Sequence, residues 1–131
     1  MNECERLAQQ YDRALNGDAW HGPSWREALD GVTREAASRR PIPDAHSIAE
    51  IVLHAGTWHD VVRRRIEGEV PQVSDAEDWP ALLADDAAWD AAKRRLFETG
   101  QALRDTVAKF PVDRLSAKRP NTEGNWYELL I

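Results

Sequence analysis

The stretch from His46 to Gly68, HSIAEIVLHAGTWHDVVRRRIEG, constrains the fold of this chain more than any other segment. Ser47 followed three residues later by Glu50 is a capping-box pattern, which predicts that a helix begins at or near Ser47. Gly68 predicts where that helix ends. Between these signals, apolar residues recur at three- and four-residue spacing and predict one buried stripe: Ile48, Ile51, Ala55, Trp58, Val62 and Ile66. Such a helix, of about twenty residues and roughly 30 Å, spans a small domain.

Two further long helices are predicted, over residues 3–15 and residues 86–110. The second of these carries its own apolar stripe, formed by Trp89, Ala92, Leu96, Thr99, Leu103, Thr106 and Phe110. The last residues, 125–131, predict the start of another helix. Because no segment alternates in the manner of a strand, the chain is predicted to be all-α, with three long helices and the beginning of a fourth.

Shorter segments connect these helices. Short helices are predicted over residues 24–29 and 33–38, where Ser24 with Glu27 forms another capping box. A loop is predicted over residues 68–85, with a single turn that begins at Ser74. Gly100 lies inside the third long helix and predicts either a close helix approach or a bend.

Length and charge exclude several classes of partner. The 131 residues fit one domain, residues 1–131, and 42% of them are hydrophobic, so a core forms without disulfide or metal support. The net charge of −6 argues against a nucleic-acid partner or an anionic membrane surface. No apolar run approaches the eighteen or so residues that cross a bilayer. The single cysteine, Cys4, forms no intrachain disulfide and suits the cytoplasm, where we expect the protein to reside.

Three of the four histidines lie in or beside the central helix. His54 and His59 fall on opposite edges of its apolar arc, and at five residues apart they diverge by about 140°, which argues against a shared metal ion. Periodicity does not choose between a hydrogen-bonded histidine and a metal ligand for either. His46, just before the cap, is predicted to be structural, and His21 is predicted to make a backbone contact in its connector.

Other polar residues are predicted to serve the helices rather than catalysis. Ser24, Ser47 and Ser74 are interpreted as helix caps, and Cys4 as a core residue on the apolar face of the first helix. Two acidic pairs, Glu77-Asp78 and Asp85-Asp86, are predicted to complement helix dipoles. Glu50 either completes the capping box or orients His54, and the capping box is the simpler interpretation.

Four segments, in order, resemble the DinB-like superfamily, also called YfiT-like: DAWHGPSWREAL, RPIPDAHSIAEIVLHAGTWHDVVRRRIEG, EDWP and NWYELLI. This resemblance implies an up-down-down-up four-helix bundle with a long cross-connection between the second and third helices. It also implies a homodimer, since many members of the superfamily form one.

The resemblance further implies a chemistry. Characterised relatives are thiol S-transferases and isomerases that use low-molecular-weight thiols such as mycothiol or bacillithiol. Their divalent metal, nickel or zinc, is held by one histidine of the second long helix and an H-x-x-x-H pair of the fourth. His54, in IVLHAGTW, matches the first ligand. No histidine follows His59, so we expect a C-terminally incomplete domain whose fourth helix is only begun and whose metal site is empty.

Two hypotheses about function follow. The first is a divalent-metal-dependent enzyme of the thiol S-transferase or isomerase type that acts on an electrophilic small molecule, with His54 as a metal ligand. The second is a metal-free bundle in which His54 only packs, and which binds a small molecule or serves a structural role. A third expectation concerns assembly: three helices without a full fourth leave an apolar groove, which predicts a dimer or a bound partner helix.

Overall fold

Helices account for the regular structure of this chain. The computed structural model describes residues 1–82 and 84–131; Leu83, within the connection predicted over residues 68–85, lies outside the described residues. In chain order the helices are α1 (Glu3–Asn16), α2 (Trp25–Leu29), α3 (Arg34–Ser38), α4 (Ile48–Ile66), α5 (Asp75–Asp78), α6 (Asp86–Ala108) and α7 (Trp126–Leu130). A single 3₁₀ turn, Val112–Arg114, follows α6. The predicted all-α class is confirmed, and among the described residues the nearest feature to a sheet is one isolated bridge, Lys118 to Asn125.

Side-chain caps begin the helices where the sequence predicts them. The backbone N–H of Glu50 donates to Ser47 Oγ at 3.2 Å, and the backbone N–H of Ser47 donates to Glu50 Oε2 at 2.7 Å. Ser24 and Ser74 also cap α2 and α5 by accepting from the Glu27 and Glu77 N–H, but there the glutamate accepts from the serine hydroxyl and not from its backbone N–H, so the predicted Ser24–Glu27 capping box is only half formed. Each cap satisfies backbone donors that a helix start otherwise leaves without partners.

Two hydrophobic clusters show that α4 and α6 run in the same direction. One cluster joins the first halves of both helices, with Ala49 and Val52 packed near Trp89 and Ala92. The other joins their last turns and holds Ile66 beside Val107 and Phe110. Parallel neighbours of this kind require the chain to return along the bundle before the second helix begins.

The other two helices run opposite to this pair. Cys4 and Ala8, early in α1, share a cluster with the end of α6. The hydroxyl of Tyr127 donates to Glu3 at 3.0 Å, and that of Tyr11 donates to the Leu130 carbonyl at 2.7 Å, so α7 runs parallel to α1. The order is up-down-down-up, as the resemblance implies. No helix in residues 1–82 and 84–131 is long and apolar enough to cross a membrane.

The buried face of α4 differs from the predicted stripe. Ile48 and Ile51 are each 41% exposed, whereas the buried residues of this helix are Ala49, Val52, Gly56, Val61 and Ile66. The prediction of the stripe was therefore wrong over the first two turns. In the first half of α4, apolar residues occur on all sides of the helix, so their spacing does not indicate which face is buried. Close packing against α6 then selects the face with the smaller side chains.

The stripe of α6 is confirmed at its apolar positions, and Gly100 is an additional interface residue. Thr99 and Thr106 are half-buried at the edge of this face, and Gly100 and Val107 are buried beside them. A Cβ atom at Gly100 would lie 2.7 Å from Leu15 Cδ2 and 3.2 Å from His59 Cε1. Gly100 thus permits the close helix approach that is one of its two predicted roles.

Gly56 provides a matched comparison, because it is also buried in mid-helix. A Cβ atom there would meet the guanidinium end of Arg95 at 3.0 Å and the Leu96 Cα at 3.8 Å, contacts that a flexible side chain relieves. We expect Gly100→Ala to lower the free energy of unfolding by about 1–2 kcal/mol, because overpacking costs more than the gain in helix propensity. We expect Gly56→Ala to change it by less than about 1 kcal/mol. Urea unfolding measures both, and equal effects would contradict the assignment of Gly100 as the tight contact.

Candidate functional site

His54 is held by Asp78 on one side of the bundle. Its Nδ1 lies 2.8 Å from the backbone carbonyl oxygen of Asp78 and 3.0 Å from the carboxylate Oδ1 of the same residue. Both are acceptors, so Nδ1 carries the proton and, in the neutral ring, Nε2 carries the lone pair. Nε2 has no hydrogen-bond partner in the part of the chain that the structure describes.

Asp78 also fixes the neighbouring indole. The Nε1–H of Trp58, one turn after His54, donates to Asp78 Oδ1. A single carboxylate at the end of α5 therefore positions two side chains of α4. We call His54, Trp58 and Asp78 the His54 cluster. A partly buried tryptophan needs an acceptor for its indole N–H, and Asp78 supplies it.

Trp79 stacks between two histidines. Its ring lies 3.9 Å from the His54 ring at an interplanar angle of 12°, and 3.5 Å from the His46 ring at 7°. At distances this short, two imidazoles cannot lie side by side on one face, so they occupy opposite faces of the indole. The stack attaches the segment after α5 to the start and the middle of α4.

Glu50 belongs to the helix cap rather than to His54. Its carboxylate accepts from the Ser47 backbone and pairs with Arg40 and, at 3.3 Å, with His46 Nδ1. The hydrogen bond from Ser47 lowers the pKa of Glu50, and Arg40 and His46 lower it further. The predicted capping and structural roles of Glu50 and His46 are confirmed, and Asp78 is the residue that orients His54.

Asp78 and Trp79 are the site residues that the sequence analysis missed. Glu77 and Asp78 both lie in the first turn of the four-residue α5, which agrees with their predicted dipole role, but Asp78 also binds α4 across 24 residues of chain. A signal was present, since both residues lie in EDWP, one of the four segments that resemble the superfamily.

A groove of about 680 Å³ opens beside the His54 cluster. Trp58 and Asp78 line one part of it, and the rest is formed by the end of α4, residues 67–73 and the segment that leads to α7. Its volume lies within the range of roughly 300–1,000 Å³ that small-molecule sites occupy. The cluster and the groove together form the candidate site.

The orientation of His54 suits a metal ligand, but the ligand set is incomplete. A ligating histidine donates its other ring N–H to a carboxylate or carbonyl, which is the arrangement of His54 with Asp78. No group of three His, Cys, Asp or Glu side chains in residues 1–82 and 84–131 is placed to hold a metal ion. The described residues therefore fit one ligand and do not by themselves fit a metal.

His59 faces the helix interface instead of the cluster. Its Nδ1 lies 3.3 Å from Thr99 Oγ1, and its ring contacts Gly100. Burial lowers the pKa of His59; the backbone of Leu96 partly opposes this effect, and the charge of Arg95 adds to it. His54 and His59 do not meet, as their divergence predicts.

The remaining candidates lie outside the site. His21 is exposed and packs edge-on against Trp20 at 5.7 Å, and its ring makes no hydrogen bond to the backbone of residues 1–82 and 84–131, so the predicted backbone contact is wrong there. Cys4 is completely buried, and burial raises the pKa of its thiol, with Glu3 and Glu5 adding to the effect. The prediction of a core cysteine is confirmed.

The buried His59 makes stability depend on pH. Its folded-state pKa is depressed, so the unfolded chain binds more protons, and stability falls as the pH drops below the ordinary value of 6.5. We expect His59→Gln to lose less stability than the wild type between about pH 7.5 and about pH 5.5 in urea unfolding. His21→Gln controls for the loss of an exposed imidazole. The same slope in wild type and His59→Gln would contradict this assignment.

Comparison with known proteins agrees with the architecture. A family model described as the DinB superfamily matches residues 19–129. No curated protein and no solved structure matches the chain. The match covers the cross-connection that carries Asp78 and Trp79 as well as α4 and α6, which are the elements that build the candidate site. The chain belongs to the DinB superfamily.

Proposed function

We propose that this protein is a divalent-metal-dependent enzyme of the thiol S-transferase or isomerase type, in which His54 is one metal ligand. Nickel or zinc is the metal and a low-molecular-weight thiol the second cofactor, as the resemblance implies. The metal, when bound, supplies a Lewis acid that polarises a substrate or lowers the pKa of a thiol. Further ligands are needed beyond those of the described residues.

One observation supports this proposal above the others. The Nδ1–H of His54 is held by Asp78, which orients the ring and leaves the lone pair of Nε2 unused. Trp79 stacks on the same ring and limits its rotation. An imidazole fixed on two sides loses little conformational freedom when it binds a ligand.

The metal content of the protein, expressed with its natural sequence, tests the role of His54. We expect the wild type and His21→Ala to bind added nickel or zinc equally, because the exposed His21 lies outside the site. We expect His54→Ala to lose the metal. We expect Asp78→Asn to weaken metal binding by about 10- to 100-fold, because an orienting partner tunes its ligand.

Elemental analysis after dialysis, followed by titration with Zn²⁺ or Ni²⁺, measures these differences. Circular dichroism of each variant controls for loss of the fold. Stoichiometric metal that survives His54→Ala in a folded protein would exclude His54 as a ligand.

A metal-free binding bundle is the second candidate, and the stacking of Trp79 on His54 favours it. In this alternative the ring attaches the cross-connection to α4 and binds no metal. The wild type would then contain no metal. His54→Ala would lower the free energy of unfolding by about 1 kcal/mol, as expected for loss of a stacked, hydrogen-bonded ring. The same metal analysis therefore separates the two candidates.

We also propose that the protein forms a homodimer and resides in the cytoplasm. Exposed apolar residues at the start of α4, Ile48 and Ile51, support an association surface. We expect twice the monomer mass in sedimentation velocity at micromolar concentration and a shift to monomer in Ile51→Lys. Arg94→Lys, on the exposed face of α6, serves as a control that leaves the mass unchanged. A monomeric wild type would contradict this proposal.

A further inference from the structure

The groove beside the His54 cluster contains both acidic and basic side chains, but only the acidic ones are paired. Glu67 lies 2.8 Å from Arg63, and Glu69 lies 3.2 Å from Arg64. Asp78 is engaged by His54 and Trp58. Each carboxylate of the lining therefore already has a partner: an arginine outside the groove for Glu67 and for Glu69, and two hydrogen-bond donors for Asp78.

Three arginines of the same groove have no such partner. The three that line it are Arg65, Arg114 and Arg119. Within residues 1–82 and 84–131, none of their guanidinium groups forms an ion pair. The same holds for side-chain hydrogen bonds: within residues 1–82 and 84–131, none of the three guanidinium groups donates one to a protein acceptor. Their N–H donors are available to a ligand.

Aromatic rings accompany two of these arginines. The guanidinium carbon of Arg65 lies 5.4 Å from the Trp58 ring centroid, and that of Arg114 lies 5.5 Å from the Trp126 centroid. Stacking of this kind limits the orientations of a guanidinium group while leaving its edge donors free. The groove thus combines apolar ring surface with oriented cationic donors.

Backbone hydrogen bonds fix the segment that carries Arg119. The Arg119 N–H donates to the Gly124 carbonyl at 2.9 Å, and the Gly124 N–H donates to Thr122 Oγ1 at 3.0 Å. The bridge from Lys118 to Asn125 closes the same turn. Arg119 therefore starts from a constrained backbone, although it lies in a connection between helices.

We propose that this groove binds a small organic anion, in which a carboxylate or phosphate group meets Arg114 and Arg119 and an apolar body lies along Trp58 and Val70. Guanidinium groups bind both oxyanions through paired N–H donors. The groove volume of about 680 Å³ accommodates a molecule of drug size. The net charge of −6 repels extended polyanions, so the anion is small and its recognition is local.

This inference goes beyond the proposed metal chemistry and is tested separately from it. Arg65, Arg114 and Arg119 lie outside the His54 cluster, so an anion can bind whether or not His54 holds a metal. Zinc or nickel content reports on His54, and the binding of an anionic probe reports on the arginines.

A pair of fluorescent probes tests the proposal on the intact chain. 8-Anilinonaphthalene-1-sulfonate carries an oxyanion, and N-phenyl-1-naphthylamine has the same aromatic body without it. We expect Arg119→Gln and Arg114→Gln each to weaken binding of the sulfonate by at least about tenfold, as loss of a charged hydrogen bond does, and to leave binding of the neutral probe unchanged. Competition by benzoate or by phenyl phosphate identifies which oxyanion the groove prefers.

Arg94→Gln is the matched control, because Arg94 is an exposed arginine outside the groove and the substitution removes the same charge. Because Arg114 packs over Trp126, its replacement can destabilise the fold, so thermal unfolding of each variant is measured. If Arg114→Gln does not fold, Arg119→Gln and Arg65→Gln test the proposal. An equal loss of sulfonate binding in Arg94→Gln would overturn the proposal. So would equal weakening of both probes in the groove variants, or no change in either.

Discussion

Close parallel packing of α4 on α6 is the constraint on which the rest of this structure depends. It needs a small residue where the helices approach most closely, and Gly100 provides it, admitting Leu15 of α1 and His59 of α4 to the same contact. Because the two helices run in the same direction, the chain must travel back along the length of α4, roughly 28 Å for nineteen residues, before α6 begins.

That return path builds the candidate site. The connection between α4 and α6 crosses the outer face of α4, where α5 ends beside His54. Asp78 then reaches both His54 and Trp58, and Trp79 is inserted between His54 and His46. A connection between antiparallel helices would be a short turn at one end of the bundle, and it would bring no side chains to the middle of α4. The direction of α6 therefore determines the surroundings of His54.

Local signals in the sequence predict the ends of the helices because the forces that set them are local. A cap joins residues three positions apart, so Ser47 with Glu50 can be recognised without knowledge of the fold. The superfamily, the all-α class and the direction of the helices follow from ordered motifs that extend over most of the chain.

The parts that periodicity did not predict depend on distant contacts. Apolar residues surround the first half of α4, so the choice of Ala49 and Val52 over Ile48 and Ile51 for burial is made by the surface of α6. The contact of Asp78 with His54 joins residues 24 positions apart, and no helical spacing encodes it. Only the segment EDWP, through its resemblance to relatives, pointed to that part of the chain.

His54 and His59 show how the same residue type acquires different properties on one helix. His59 is buried at the contact with α6, where desolvation lowers its pKa because it disfavours the charged ring. His54 is held at the edge of the bundle by two acceptors on Asp78, which assign its proton to Nδ1. A ligand needs a lone pair that is both accessible and oriented. Of the two histidines, His54 alone combines an oriented lone pair with a position beside a groove, and Asp78 and Trp58 belong to both that cluster and that groove.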